Sequence, residues 1–293
     1  MRVTQINNLA PPAPPTRPAI QDGFRLHRFT RYFFCKSRLL FTAFWSTTIL
    51  FVTSSIAIAE NDSTIGTTPT PFTAVYKVTK GIMSVGTTKR KLEATGNDNY
   101  VFESVTKPGG IAKLFTDGKV IERSQWRMVD NKLVPQEYTY VNTGDSKRNV
   151  KVVFDWETNK VINTVNGDPW SMEIEDDTLD KLIYQLAIMY DLNGGETKLH
   201  YQVADGGKTK TYDIEIQGEE RIVTELGTFT TIKVSRTNND RTTIMWCAKE
   251  LQYLPARISQ KKKDDTAITA ELVELSGIIV PESSKPVKPT PSQ

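Results

Sequence analysis

The chain has 293 residues, of which 38% are hydrophobic, and a formal net charge of +3. Residues 1–59 hold seven of the 37 basic residues and one of the 34 acidic residues, so 30 basic and 33 acidic residues remain after them, and this larger part is mildly acidic. That charge argues against nucleic acid as a partner, and the single Cys247 in this part excludes an internal disulfide.

The start of the chain predicts a secretory leader. A basic stretch, Arg25–Arg38, precedes an apolar run, Leu39–Ile58, which ends in the small-x-small pattern of Ala57-Ile58-Ala59 that a signal peptidase accepts. We therefore expect residues 1–59 to be a signal peptide with a long basic n-region, and the periplasm of a Gram-negative bacterium to be the destination. The alternative is an uncleaved inner-membrane anchor, because the apolar run is just long enough to span a bilayer.

After a linker at 60–71, short runs rich in Val, Ile, Thr, Tyr and Phe recur along the chain with Gly, Asn, Asp or Pro between them. This spacing is typical of an antiparallel sheet. It predicts strands at 72–79, 82–93, 99–106, 118–129, 132–143, 147–156, 159–165, 196–204, 209–217, 219–225, 228–236, 242–249, 254–261 and 267–275. The sequences Asp130-Asn131 and Asp205-Gly206-Gly207 predict tight turns, and Gly81 and Gly86 predict bends or bulges.

One segment, 177–193, departs from the two-residue period. Its apolar residues recur at helical spacing, Asp176 or Asp177 precedes them as an N-cap, and Gly194 follows as a terminator. Those apolar residues are Leu179, Leu182, Ile183, Leu186, Met189 and Tyr190. The pattern predicts one long helix that sits deep against the sheet.

A single helix cannot cover a flat sheet of a dozen strands, so the sheet must curl around it or close on itself. The predicted fold is therefore mainly β: a curved antiparallel sheet or half-barrel wrapped around one long α-helix. A single domain is expected at 72–276. Residues 277–293 are expected to form a disordered tail rich in Pro and Ser.

The sequence offers little that resembles a catalytic or metal site, and we expect no metal and no cofactor. His200 and Cys247 are expected to be ordinary strand residues, and Ser84 only superficially resembles a nucleophile elbow. The acidic runs Glu173–Asp177 and Glu219-Glu220 are expected to be capping or solvated residues. The alternative is a carboxylate pair of a glycan hydrolase. The run Lys261–Lys263 predicts a hairpin end, with contact to anionic lipid headgroups as the alternative.

Large aromatic residues in the predicted strands are the strongest candidates for ligand binding. A curved sheet lined by them around an apolar helix can enclose a cavity, although the same side chains can simply fill a core. The candidate ligand-binding residues are Trp126, Tyr138, Tyr140, Phe154, Trp156 and Trp246 from the strands and Leu182, Leu186 and Met189 from the helix.

Three C-terminal motifs carry a family resemblance: a Gly-initiated strand at Gly227–Arg236, a Trp-containing strand at Thr243–Lys249 and a Leu-Pro strand at Leu254–Ile258. With Phe72–Gly86, the strand start at Leu133–Pro135 and the predicted helix, the chain resembles exported bacterial proteins known as domain of unknown function number thirty-one hundred and eight. The resemblance covers roughly 72–276. It implies an envelope protein similar in outline to half-barrels that carry lipoproteins between membranes, and it implies no catalytic residues.

The expected function is non-catalytic binding of an apolar or amphiphilic cell-envelope molecule, such as a lipid or a lipidated partner. Contact with a membrane is then transient unless the signal segment is retained. Two alternatives remain open: a structural or scaffold envelope protein with a packed interior, and the glycan hydrolase.

Overall fold

The computed structural model of the protein describes residues 69–114, 116–144 and 147–286. The predicted signal peptide, most of the predicted linker and the end of the predicted tail lie outside these residues. Within them, no helix has the length and apolarity needed to cross a membrane.

The described residues form fifteen strands in one sheet together with one α-helix. The strands are β1 (Phe72–Lys80), β2 (Met83–Gly96), β3 (Asn99–Pro108), β4 (Val120–Val129), β5 (Lys132–Asn142), β6 (Arg148–Asp155), β7 (Lys160–Val165), β8 (Asp168–Glu173), β9 (Leu179–Asp180), β10 (Leu199–Ala204), β11 (Thr209–Val223), β12 (Thr228–Asn238), β13 (Arg241–Ala248), β14 (Leu254–Lys262) and β15 (Ile268–Ser276). The helix α1 spans Tyr184–Asn193, and short 3-10 turns lie at Gly110–Leu114, Lys249–Leu251 and Glu282–Ser284.

The sheet consists of two meanders joined in the middle. Its strand order is β8-β7-β6-β5-β4-β3-β2-β1-β15-β14-β13-β12-β11-β10-β9, so the first strand of the domain pairs with the last long one. All neighbours are antiparallel except β9 and β10. The segment between β8 and β10, which contains β9 and α1, therefore connects the two ends of the sheet. The prediction of a mainly β, curved antiparallel sheet with one helix is confirmed.

Tight turns and bulges shape the strands as the sequence indicated. Asp130 and Asn131 both have positive φ, at 49° and 61°, as a two-residue hairpin turn of this hand requires. Gly81 also has positive φ and lies in the β1–β2 turn, whereas Gly86 lies beside a register shift between those strands. Bulges of this kind increase local twist and let a sheet of many strands curve.

The prediction of separate strands at 209–217 and 219–225 was wrong. β11 is continuous through both, with a register shift at Gly218, whose φ is +111°. The glycine therefore bends the strand rather than ending it. The strand β8 was not predicted, because Pro169 and the exposed side chains of this edge strand give no alternating pattern.

The predicted helix start at Asp177 was wrong, since α1 begins at Tyr184. Leu179 and Asp180 are instead extended and pair with Val203 and Ala204 of β10. Asp177 is exposed in a positive-φ turn. The predicted end is confirmed, because Gly194 is the residue that follows the helix and its N–H bonds to the carbonyl of Tyr190.

The helix is buried on most of its surface. Six of its ten residues are buried, including Leu186 at 1% and Ile188 at 0% exposure. A helix that is apolar around most of its circumference is stable only inside a protein. The predicted depth of the helix is therefore confirmed.

The expected disorder from residue 277 onward was wrong for the residues that the structure describes. Ile278 is buried in the core, and Ser284 is buried within the 3-10 turn Glu282–Ser284. A Cβ on Gly227 would lie 2.2 Å from the carbonyl oxygen of Ser284, so this segment packs closely against the β11–β12 turn. Residues 287–293 lie outside the described part of the chain.

Candidate functional site

The structure distributes the nine predicted ligand-binding side chains over several places. Met189 lines a pocket at the end of the helix, and Tyr138 and Tyr140 line a cavity where the ends of the sheet meet. Trp126, Phe154, Leu182 and Leu186 are buried in the core, and Trp156 and Trp246 are partly buried and pack against it. The sheet therefore does not gather these residues around one ligand cavity.

The core aromatics pack on one another. Trp126 has no exposed surface, and its ring stacks on Tyr100 with centroids 4.5 Å apart. Phe154 stacks on Trp156 at 5.6 Å, and Trp156 Nε1 donates a hydrogen bond to the carbonyl of Pro135 at 2.7 Å. These contacts join β3 to β4 and join β5 to the residue that follows β6.

Trp246 lies on the face of β13 opposite to its buried neighbours Met245 and Cys247. Lys233 Nζ and Arg257 Cζ lie 5.3 and 5.8 Å from its ring centroid, and its Nε1 donates to Glu220. Such cation–π contacts hold the indole on the outer, charged face of the sheet.

A pocket at the C-terminal end of α1, called here the helix-end pocket, is lined by Thr70, Phe72, Leu92, Met189, Tyr190, Asn193, Gln252 and Ile278. It has a volume of about 460 Å³. Phe72 and Leu92 are cross-strand partners on β1 and β2, and the helix presents Met189 and Tyr190 to them. An apolar chain can therefore contact the helix and the sheet at once.

A second cavity, called here the seam cavity, is lined by Tyr138, Tyr140, Arg148, Val150, Val152, Asn163, Val165, Trp170, Lys181 and the turn at 204–207. It has a volume of about 260 Å³. Trp170 belongs to the edge strand β8, whereas the turn connects β10 and β11 near the other end of the sheet. A Cβ on Gly207 would lie 2.5 Å from the indole, so only a glycine lets this turn approach Trp170.

Two carboxylates lie close to Ser124 and Tyr138: Asp180 of β9 is fully buried, and Glu122 of β4 is partly buried. Asp180 has no exposed surface; it accepts hydrogen bonds from the Ser124 hydroxyl and from the backbone N–H groups of Leu182 and Ile183 at 2.7 and 2.9 Å. Burial outweighs these bonds and raises the pKa of Asp180 to about 6. Glu122 accepts a hydrogen bond from the Tyr138 hydroxyl at 2.7 Å. Asp180 thus caps the turn that leads into α1.

The other candidate residues have simple surroundings. His200 is exposed, with Nδ1 2.6 Å from Asp213, and Cys247 is buried, which raises its pKa to about 12. Ser84 is exposed on β2. Glu219 pairs with Lys249, and Lys262 at the β14–β15 hairpin end pairs with Asp240. Among the described residues, no group of three or more His, Cys, Asp or Glu side chains could hold a metal ion.

Sequence reasoning missed the residues that join distant strands. Phe72 and Leu92 read as ordinary strand residues, and Asn163, Trp170 and Lys181 carried no motif. These residues lie at an end of the sheet or beside α1. Their location depends on pairing between strands that are far apart in the sequence, and no local pattern predicts it.

Comparison with known proteins gives a family but no activity. A family model described as a protein of unknown function, DUF3108, matches residues 74–273. Among solved structures, the chain is similar to a beta-barrel-like protein of domain of unknown function DUF1849 from Brucella abortus, with 8% sequence identity and a TM-score of 0.48 over 72% of this chain and 98% of that chain. No curated protein matches the chain.

Proposed function

We propose that this chain, which belongs to the DUF3108 family of proteins of unknown function, binds an apolar or amphiphilic cell-envelope molecule without catalysing a reaction. The ligand class is a lipid or the lipid part of a lipidated partner. The helix-end pocket is the observation that carries the proposal, because it is the place where apolar side chains of the helix and of the sheet face the same space.

The size of this pocket suits such a ligand. Its volume of about 460 Å³ falls within the range of roughly 300–1,000 Å³ that is typical of small-molecule sites. Burial of about 300 Å² of an acyl chain would contribute about 7 kcal/mol at roughly 25 cal/mol per Å². The loss of ligand freedom opposes this gain, so the net free energy of binding is smaller than this figure.

A half-barrel wrapped around the helix is part of the same proposal. Contacts to α1 from separate strands support it: the rings of Tyr184 and Tyr212 meet edge to face at 5.0 Å, and the Tyr201 hydroxyl donates to Asp191 at 2.6 Å. Met189 shares the helix-end pocket with Phe72 of β1. The helix would then form one wall of the binding site, and the sheet the other.

Export to the periplasm also remains a proposal, and it rests on the leader pattern in residues 1–59. A periplasmic location would give the protein access to envelope lipids. Its membrane contact would be transient if the leader is cleaved, and permanent if Leu39–Ile58 is retained as an anchor.

Substitution of Asn193 by Trp tests the pocket directly. Asn193 is an exposed residue at the end of α1 that lines the helix-end pocket, so an indole there fills the space with little change to the core. We expect Asn193→Trp to weaken uptake of a fluorescent fatty acid by the delipidated protein about tenfold or more, which corresponds to at least about 1.4 kcal/mol. The measurement is a fluorescence titration at constant ionic strength.

Thr197→Trp is the matched control, because Thr197 is exposed just beyond the helix and is not part of the pocket lining. Uptake should be unchanged in this variant. Equal uptake by both variants would place lipid elsewhere, and no uptake by the unsubstituted protein would favour a scaffold with a packed interior. Native mass spectrometry of protein purified from its own periplasm shows a bound ligand as added mass.

A further inference from the structure

We propose that the seam cavity is a second binding site, which takes a small anionic sugar. This inference goes beyond the proposed function, since it concerns a different cavity with a different chemistry. The site lies where β8 at one end of the sheet approaches the β10–β11 turn near the other end.

A buried amide group marks the cavity as a polar site. Asn163 lines it and is 2% exposed, and its Nδ2 is buried without a hydrogen-bond partner among the described residues. A buried polar group in that state is uncommon in proteins and calls for a partner. A half-turn of the amide exchanges its nitrogen and oxygen, and this can turn the unsatisfied donor toward a ligand hydroxyl in the cavity. The Asn163 side chain thus has a hydrogen bond that the protein itself does not satisfy.

The charges that line the cavity favour an anion. Arg148 and Lys181 both contribute cationic side chains to the lining. The acidic residue Asp205 already accepts hydrogen bonds from Lys210 at 2.7 Å and from the Tyr212 hydroxyl at 3.0 Å. Burial raises the pKa of Asp205, but the hydrogen bond from Lys210 and the positive charge of the nearby Lys181 outweigh this effect. The pKa of Asp205 is therefore below its usual value. A carboxylate or phosphate group of a ligand would therefore meet net positive charge.

Aromatic rings and the small volume favour a ring-shaped ligand. Trp170 is 38% exposed, and Tyr140 is partly exposed with Lys181 Nζ 5.8 Å from its ring centroid. The volume of about 260 Å³ equals that of about nine water molecules at roughly 30 Å³ each. This accommodates one substituted ring, whose apolar face can pack on an aromatic side chain while its acid group contacts Arg148 and Lys181.

Binding of glucose 1-phosphate and glucuronate, measured by isothermal titration calorimetry, tests the site. Glucose and inorganic phosphate are the controls for the ring and for the charge alone. We expect both anionic sugars to bind. Asn163→Leu should lower the affinity for each of them about tenfold, because Leu keeps the side-chain volume but cannot form a hydrogen bond. Lys181→Ala should weaken binding and reduce its dependence on salt.

Asn149→Leu is the matched control, since Asn149 is an exposed residue of β6 outside the cavity lining. It should leave the affinity unchanged. Thermal unfolding of Asn163→Leu distinguishes lost binding from lost folding, because removal of an unpartnered amide should not lower the melting temperature. Inorganic phosphate that binds as tightly as the sugars, or an Asn163→Leu protein that is folded and binds normally, would overturn the proposal.

Octyl glucuronide, measured in the Asn193→Trp background, distinguishes a free sugar from a lipid headgroup. In that variant the Trp side chain fills the helix-end pocket, so binding of the alkyl chain there does not contribute to the measured affinity. Binding equal to that of glucuronate supports a free sugar, and tighter binding supports a glycolipid headgroup. Failure of both anionic sugars and of octyl glucuronide would overturn the site, whereas fatty-acid uptake by the unsubstituted protein would still stand.

Discussion

Asp180→Asn is expected to stabilise the protein at neutral pH by about 3 kcal/mol. Burial raises the pKa of Asp180 to about 6 from the ordinary aspartate value of 3.8, and one pKa unit corresponds to about 1.4 kcal/mol. An Asn side chain can still accept the backbone hydrogen bonds from Leu182 and Ile183, and its amide can donate to Ser124. The substitution therefore keeps the contacts and removes the buried charge.

The sign of the pH dependence follows from the direction of this shift. The folded protein holds the Asp180 proton more tightly than the unfolded chain, so the stability that this residue contributes is complete below about pH 3.8 and is lost as the pH rises through about 6. The difference in unfolding free energy between Asp180→Asn and the unsubstituted protein should thus be near zero at low pH and reach its plateau above pH 6. Urea unfolding at a series of pH values measures it.

Asp155→Asn provides a control of opposite sign. Asp155 is partly exposed, and hydrogen bonds from the side chain and the backbone of Thr158 lower its pKa. The stability that Asp155 contributes is present above the pKa that this residue has in the unfolded chain, and it is lost as the pH falls. Asp155→Asn should therefore be less stable than the unsubstituted protein at neutral pH, and the difference in unfolding free energy should disappear in acid. If Asp180→Asn instead destabilises the protein equally at every pH, then the charged carboxylate is required and the argument from burial is wrong.

Trp126→Ala is expected to lower the unfolding free energy by about 3–5 kcal/mol, the usual cost of truncating a large buried aromatic side chain. Trp126 has no exposed surface and stacks on Tyr100, so its removal leaves a cavity in the core. Its Nε1 is buried without a partner among the described residues, so Trp126→Phe, which removes that donor and keeps a ring, should cost much less. Chemical denaturation with tryptophan fluorescence or circular dichroism measures both.

Trp246→Ala is the matched control from the outer face of the sheet. It removes cation–π contacts with Lys233 and Arg257 but leaves little buried space, so we expect a loss of about 1–2 kcal/mol. A similar loss for Trp126→Ala and Trp246→Ala would mean that the core at β4 relaxes around the missing indole. In that case the packing described for Trp126 contributes less than its burial indicates.

Alternation and turn chemistry were sufficient to predict most of the strands. In β6, for example, Val152 and Phe154 are buried while Lys151 is exposed, as the two-residue period requires. The Asp130-Asn131 turn was equally readable, because few residues tolerate positive φ at both central positions. These features depend on residues next to one another in the chain, so the sequence carries them directly.

The start of the helix could not be read in the same way. Leu179 and Leu182 continue the helical spacing upstream of Tyr184, yet pairing with β10 holds Leu179 and Asp180 in an extended conformation. Asp180 is buried beside Ser124 of β4 and caps the next turn from there. Local propensity was overridden by a partner strand and by a side chain distant in sequence.

The sequence by itself determined the mainly β class, the presence of one apolar helix that ends at Gly194 and most of the turns, since each of these is a property of adjacent residues. Only the tertiary structure decided which side chains share a cavity. Phe72 and Met189 line one pocket, and Trp170 lies against Gly207, although the chain connects the elements that carry them over long distances. Such contacts depend on the order, register and curvature of the whole sheet, which no single segment encodes.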